Sequence, residues 1–457
     1  MLAPERVDQD TLASGDPEKR SSTDLDGAFP EKRVEEKRNI QPEVHPAPPE
    51  IDDAPPDGGL RAWLVILGSF LSLFSTFGVV NSYGVFQEHY TTTLLSHSSS
   101  SVISLIGSLQ LASIYGFSPV IGRIYDAYGS EVLLPLGSFI TVLSMMLLSL
   151  CKANHPYQFF LCHGILFGFG NALVFTPALA VCGHWFRRRR AYALGLVSAG
   201  SALGGVLYPI MIQRLIAELG FPWAVRVAGF VTLACLCVSC VTMRTRLPLK
   251  RKITLGDAVD FAGFRDWRYA FCTFGAFLSF YVVFIPYFYI EQYALFEGVS
   301  PHLAQYLVAV INATGIPARV LPGLIADKVG SLNVLVPFMA TSGLLVLILW
   351  QLARGAVAIT LFAAFYGLFS GAFVSLLPAY IATISPAEKY GARIGSVYLV
   401  AAVANLIGTP TGGAFIKTVN QHNFDNLIIF TGVLALASSA TFAVVRTIHS
   451  PHLWAKV

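Results

Sequence analysis

Gly122-Arg123-Ile124-Tyr125-Asp126-Ala127-Tyr128-Gly129 is the stretch on which the reading of this chain turns. It joins an apolar run, Val102 to Ile121, to another that begins at Val132. The pattern Gly-x-x-x-Asp-x-x-Gly is weak evidence in one copy. It returns as Gly323-Leu324-Ile325-Ala326-Asp327-Lys328-Val329-Gly330, again between two apolar runs, at an offset of 201 residues. The same offset carries Gly170 onto Gly371 and Pro177 onto Pro378. One half of the chain reads as a copy of the other, and doubled helical halves in an apolar chain point to a secondary transporter.

Composition agrees. Of 457 residues 54% are hydrophobic and 13% charged, and the mean hydropathy of +0.61 is extreme for a soluble domain. The apolar residues gather in runs of about 20, long enough to cross a ~30 Å hydrocarbon core. The expected fold is therefore an all-α integral membrane protein of about twelve transmembrane helices in two pseudo-symmetric six-helix bundles.

Along the chain, residues 1–56 are rich in Asp, Glu, Lys, Pro and Ser and read as a disordered cytoplasmic tail. No apolar segment behind a basic start marks a signal peptide there. Ser21, Ser22 and Thr23 could be regulatory sites or plain solvated residues. Spans 1–6 fill residues 57–243, a basic linker occupies 244–268, spans 7–12 fill 269–447, and 448–457 is a short tail. Basic residues concentrate in alternate loops: Arg123; Arg187, Arg188, Arg189 and Arg190; Arg244 to Arg268; Lys328; Lys389 with Arg393. The positive-inside rule then puts both termini in the cytoplasm. Anionic inner-leaflet lipid accounts for these charges without any nucleic acid. The plasma membrane is the expected location, with the vacuolar membrane as the alternative.

Chemistry-bearing motifs are few. There is no Walker loop, no His-Glu-x-x-His and no Gly-x-Ser-x-Gly elbow, so neither an enzyme nor a nucleotide motor is expected. Cys151, Cys162, Cys182, Cys235, Cys237, Cys240 and Cys272 lack ligand spacing and lie in or beside apolar runs, which predicts no metal and no cofactor. Small residues in span 5 (Gly195, Gly200, Gly204, Gly205) and span 11 (Gly408, Gly412, Gly413) mark close helix approach, as static packing or as a sliding seam. Polar residues inside spans are costly and are candidates for substrate contact: Asn81, Asn171, Asn312, Tyr398 and Asn405. For each Asn an interhelical hydrogen bond is the competing explanation. His163 reads as a packed histidine before a proton relay.

The doubled turn resembles the loop 2–3 and loop 8–9 signature of the major facilitator superfamily. The resemblance implies a cytoplasmic gate made by Gly122, Arg123, Asp126 and Gly129 and by Gly323, Asp327, Lys328 and Gly330. Asp57-Gly58-Gly59 leading to Trp63, and His184-Trp185-Phe186 through Arg190 to Gly195, Gly200 and Gly204, resemble two signatures of the monocarboxylate porter family, in its fungal branch. Proton-coupled members of that family carry a Lys in span 1 and an Asp one turn before an Arg in span 8. Here those places hold Asn81 and Gly315, and only Arg319 remains, so proton-coupled lactate transport is not carried over. Arg319 is either a carboxylate-binding fork or an anchor snorkelling to the headgroups. The expected function is alternating-access transport of a small organic solute, a monocarboxylate or other organic anion among the candidates. Export of a fungal secondary metabolite fits the same fold. A non-transporting sensor is the rival from another class, and such receptors usually carry a folded extension that is not seen before Val457.

Overall fold

A computed structural model describes residues 55–246, 259–386, 389–416, 419–452 and 455–457. The expected tail over residues 1–54 with Ser21, Ser22 and Thr23, and the basic residues Lys250, Arg251 and Lys252, lie outside the described residues. Among the described residues twelve helices are long and apolar enough to cross a membrane: Leu60–Leu94, Ser101–Tyr128, Ser130–Leu148, Pro156–Trp185, Arg190–Leu219, Phe221–Thr242, Trp267–Phe296, Pro301–Val329, Ser331–Trp350, Gly355–Ile384, Tyr390–Phe415 and Gln421–His449. They are numbered spans 1 to 12 in that order, and no strand occurs among the described residues.

Local chemistry sets the span ends. Gly129 and Gly330, at φ 75° and 107°, each close one helix and open the next, a conformation that disfavours a side chain. Ser99, Asp266 and Asn420 cap spans 2, 7 and 12 by accepting from backbone N–H groups at 3.4, 3.0 and 2.9 Å. The Arg268 guanidinium, 2.9 Å from Asp266, also holds that carboxyl below its usual range. Prolines occur inside spans 2 to 5 and 8 to 11, tolerated because neighbouring helices re-satisfy the freed backbone groups. Span 4 runs to Trp185, so His184 and Trp185 belong to the helix and the loop to span 5 begins after them.

The two halves of the chain meet along two seams. Span 2 packs on span 11 and span 5 on span 8. The small residues of span 5 divide between them. Gly200 and Gly204 press against the Phe70 and Phe74 carbonyls of span 1, in the same half, whereas Gly195 meets the Arg319 carbonyl across the seam. In span 11, Gly408 likewise abuts the Tyr281 carbonyl of span 7, its own half. Most of this glycine pattern is packing within a half, and of these glycines only Gly195 and Gly205 stand at the boundary between the halves, where a seam could slide. His163 accepts from or donates to the Tyr90 hydroxyl at 2.9 Å and packs on Phe86, a histidine held in the core. All seven cysteines are free.

Candidate functional site

A cavity of about 610 Å³ lies between spans 2, 4, 10 and 11 at the end of the molecule that carries loops 2–3, 4–5 and 10–11. Span 2 contributes Ser118, Gly122, Tyr125 and Asp126; span 4 contributes Thr176, Ala180, Gly183 and His184. Arg187 and Arg190 stand at the mouth, and Pro378, Ala382, Tyr390, Ile394 and Tyr398 face them from the second half. Half of the lining residues are polar or charged, with two guanidiniums and one carboxylate, and the rest are apolar or glycine, a mixture that suits a solute with an apolar body and an acidic or hydroxylated edge. Two buried wall atoms, His184 Nδ1 and Arg190 Nε, have no hydrogen-bond partner among the described residues. Such groups are costly to leave unmade. The Arg190 guanidinium lies 4.4 Å above the Tyr390 ring, a cation–π contact that joins the halves at the mouth. Tyr125, His184, Ser118 and Thr176 escaped the sequence reading, because ordinary polar residues near span ends carry no signal of which face they occupy.

The polar span residues fall into three groups. Asn81, Asn312 and Arg319 come together beside span 5, at the second seam. Asn81 Nδ2 donates to the Ser201 carbonyl at 3.2 Å and to Asn312 Oδ1 at 3.4 Å, a link between spans of different halves. Gly205 makes room for it: a Cβ there would come within 2.5 to 2.7 Å of both amides. Arg319 is 5% exposed and donates through Nη1 to the Ser201 hydroxyl at 2.9 Å and the Ser198 carbonyl at 3.3 Å. It therefore points into the seam and does not snorkel, and it is not among the residues that line the cavity. Tyr398 does line the cavity, against Tyr115 and Phe175 at ring separations of 5.4 and 5.5 Å. Asn171 and Asn405 bond elsewhere, and Asn171 Nδ2 is buried without a hydrogen-bond partner among the described residues. Asn171 accepts from Thr141 of span 3, and Asn405 donates to the Ala401 carbonyl of its own helix at 2.8 Å.

The doubled turn sits at the cavity end of both seams. Asp327 accepts from the Ala191 and Tyr192 N–H groups, both at 3.1 Å, so that a carboxylate from span 8 caps the N-terminus of span 5. Those are N–H groups that a helix start leaves without internal partners, and the helix dipole favours an anion there. The repeat predicts the mirror contact, and Asp126 does lie at the start of span 11: a Cβ on Gly391 would be 3.3 Å from its Oδ2. Arg123 approaches Asp126 at 3.9 Å. The two turns are packed unequally. A Cβ at Gly323 would come within 2.6 Å of the Ala191 carbonyl, whereas at Gly122 nothing is nearer than 3.9 Å. The cavity enters beside Gly122, which loosens that seam. Lys328 is exposed; the ammonium that reaches this turn is Lys456, on the Asp327 carbonyl at 2.7 Å.

Asp57 Oδ1 accepts from the Arg187 and Arg188 N–H groups at 2.6 and 2.8 Å, and Trp63 packs on Phe186 at 5.1 Å. The span 1 and loop 4–5 signatures thus touch each other at the cavity mouth. Arg188 and Arg189 are exposed beside it.

Twelve apolar helices in two repeated sets, seamed around a polar-edged cavity, define a membrane transporter. The Major Facilitator Superfamily profile matches residues 65–353 and 269–456, and the chain belongs to that superfamily. It is 37% identical over 410 residues to the MFS transporter asaE of Aspergillus flavus, covering 90% of this chain and 92% of that protein. It is 34% identical to the fujikurins efflux protein of Gibberella fujikuroi, covering 96% and 92%. It is 37% identical to the aspyridones efflux protein apdF of Emericella nidulans, covering 86% and 81%. The crystal structure of the human organic anion transporter MFSD10 (TETRAN) superposes with a TM-score of 0.66 over 83% of this chain and 98% of that one. At 15% identity that is a likeness of fold alone.

Proposed function

We propose that this transporter exports an amphipathic organic molecule, an organic anion or a hydroxylated aromatic of fungal secondary metabolism. It would take the molecule into the cavity between spans 2, 4, 10 and 11. The observation that carries this reading is the cavity itself: about 610 Å³, with walls part apolar and part polar, and with Arg187 and Arg190 outweighing Asp126. The names of the efflux relatives support the direction and the substrate class. Metabolite profiling of cells with and without the gene tests it: deletion should raise one amphipathic metabolite inside and deplete it outside. Equal levels on both sides would remove the export reading.

The basic-loop asymmetry supports placing the cavity mouth and both chain ends in the cytoplasm of a plasma-membrane protein, with 57–243 and 269–447 as the two rocking bundles. An N-terminal tag should then survive protease added outside intact cells. The contact between Asp57–Trp63 and the loop 4–5 run supports the monocarboxylate-porter kinship, since the two signatures work as one clamp.

Coupling follows from Asn81 and Gly315, which leave span 1 and span 8 without the acid–base pair of proton-coupled relatives. Transport is then facilitated diffusion, or is coupled through other groups. In proteoliposomes an imposed pH gradient should produce no uphill accumulation, and accumulation would overturn this.

A further inference from the structure

Gln110 of span 2 is 1% exposed, yet neither Nε2 nor Oε1 has a hydrogen-bond partner among the described residues. Because both ends of the amide are open, the conclusion does not depend on which way the group is turned. Its neighbours are already engaged. Tyr83 donates to the Ile103 carbonyl, and Asn81 Nδ2 is divided between Ser201 and Asn312. Gln110 faces a small cavity at the boundary of the halves, lined by Asn81 and Tyr83 of span 1 and by Phe284, Tyr287 and Phe288 of span 7. At about 10 Å³ it has room for about one water at most. The Tyr83 and Phe288 rings, 5.8 Å apart, close it from opposite halves.

A buried amide left open is a destabilising feature, and replacing it by an apolar group would cost the fold little. Its place at a seam that must part during transport gives the open edge something to meet in another step of the cycle. We propose that Gln110 is a selectivity contact for transported molecules that present a donor and an acceptor side by side, as a lactam, a primary amide or an un-ionised carboxylic acid does. When spans 1 and 7 separate, Gln110 Nε2 donates to the carbonyl oxygen of such an edge and Oε1 accepts its N–H or O–H. Asn81, at the same cavity, is the adjoining polar wall, and the Phe284 and Phe288 rings receive the apolar body. The inference rests on the transport reading and narrows its substrate class.

The test uses the purified full-length protein and two probes, 2-quinolone and N-methyl-2-quinolone, which share a ring system and an acceptor and differ in the lactam N–H. Binding is followed by calorimetry for the native protein and for Gln110→Leu. The native protein should prefer 2-quinolone by about tenfold, the discrimination expected from one buried hydrogen bond. Gln110→Leu should bind the two probes equally, and its melting temperature should be unchanged or higher. Equal binding of the probes by the native protein, binding of neither, or preference retained in Gln110→Leu would overturn the proposal and leave Gln110 solvated by one water. Flux of 2-quinolone in proteoliposomes is scored separately. Flux without selectivity keeps transport and removes this contact, and selectivity without flux does the reverse.

Discussion

Asp327→Ala should lower transport by about tenfold while leaving the amount of protein in the membrane nearly unchanged. The carboxylate accepts from two N–H groups at the start of span 5, both at 3.1 Å, and nothing else described reaches them. Loss of a helix cap costs about 0.5–2 kcal/mol, and one carried between the two halves acts on the equilibrium between their arrangements. A change of about 1.4 kcal/mol is tenfold in that equilibrium. Asp327→Asn should lie between, since its amide oxygen accepts from one N–H but carries no charge for the helix dipole. Asp126→Asn should also change rate more than abundance, but by less, because the seam beside Gly122 is looser than that beside Gly323. Flux per molecule, measured against immunoblotted protein, decides the matter. Falling abundance with unchanged flux per molecule would make the doubled turn a folding element and not a gate.

Arg319→Gln and Arg319→Lys should both lose about tenfold or more in maximal rate, with the half-saturating concentration unchanged. Arg319 is buried against span 5, and its contacts are to Ser201 and the Ser198 carbonyl. Removing the guanidinium takes a buried charged donor from the Ser201 hydroxyl, which keeps only its own bond to the Ser198 carbonyl, a loss of about 1.5–3 kcal/mol. Lys cannot repair it, since an ammonium on a flexible stem does not reproduce a planar fork and is more strongly hydrated. This geometry places the residue's effect on the rate at which spans 5 and 8 part. A raised half-saturation in both variants would instead return Arg319 to carboxylate binding, the role suggested by its resemblance to the porters. Normal behaviour of the Lys variant in both measures would exclude both roles.

The number and rough limits of the spans were legible in the chain because hydropathy is a local sum: about 20 apolar residues must cross or be buried wherever they lie. The doubled turn was legible for a similar reason, since Gly129 and Gly330 meet a backbone requirement that few other residues satisfy. The candidate site was legible only in part. Asn81, Asn312 and Arg319 were singled out as polar residues in apolar surroundings, but so were Asn171 and Asn405, whose side chains turn away from that cluster, to Thr141 and to Ala401. Nothing in the composition separates the two sets. These spans are apolar on nearly all sides, so no stripe reveals which face turns inward. That face is decided by contacts between residues far apart in the chain. Asn81 meets Asn312, Asp57 holds Arg187, and Asp327 caps Ala191 only after all the helices have packed. Gln110, His184 and Tyr125 acquire meaning from the same source. A polar atom is known to be without a partner only when everything around it is in place, and that is a property of the tertiary structure.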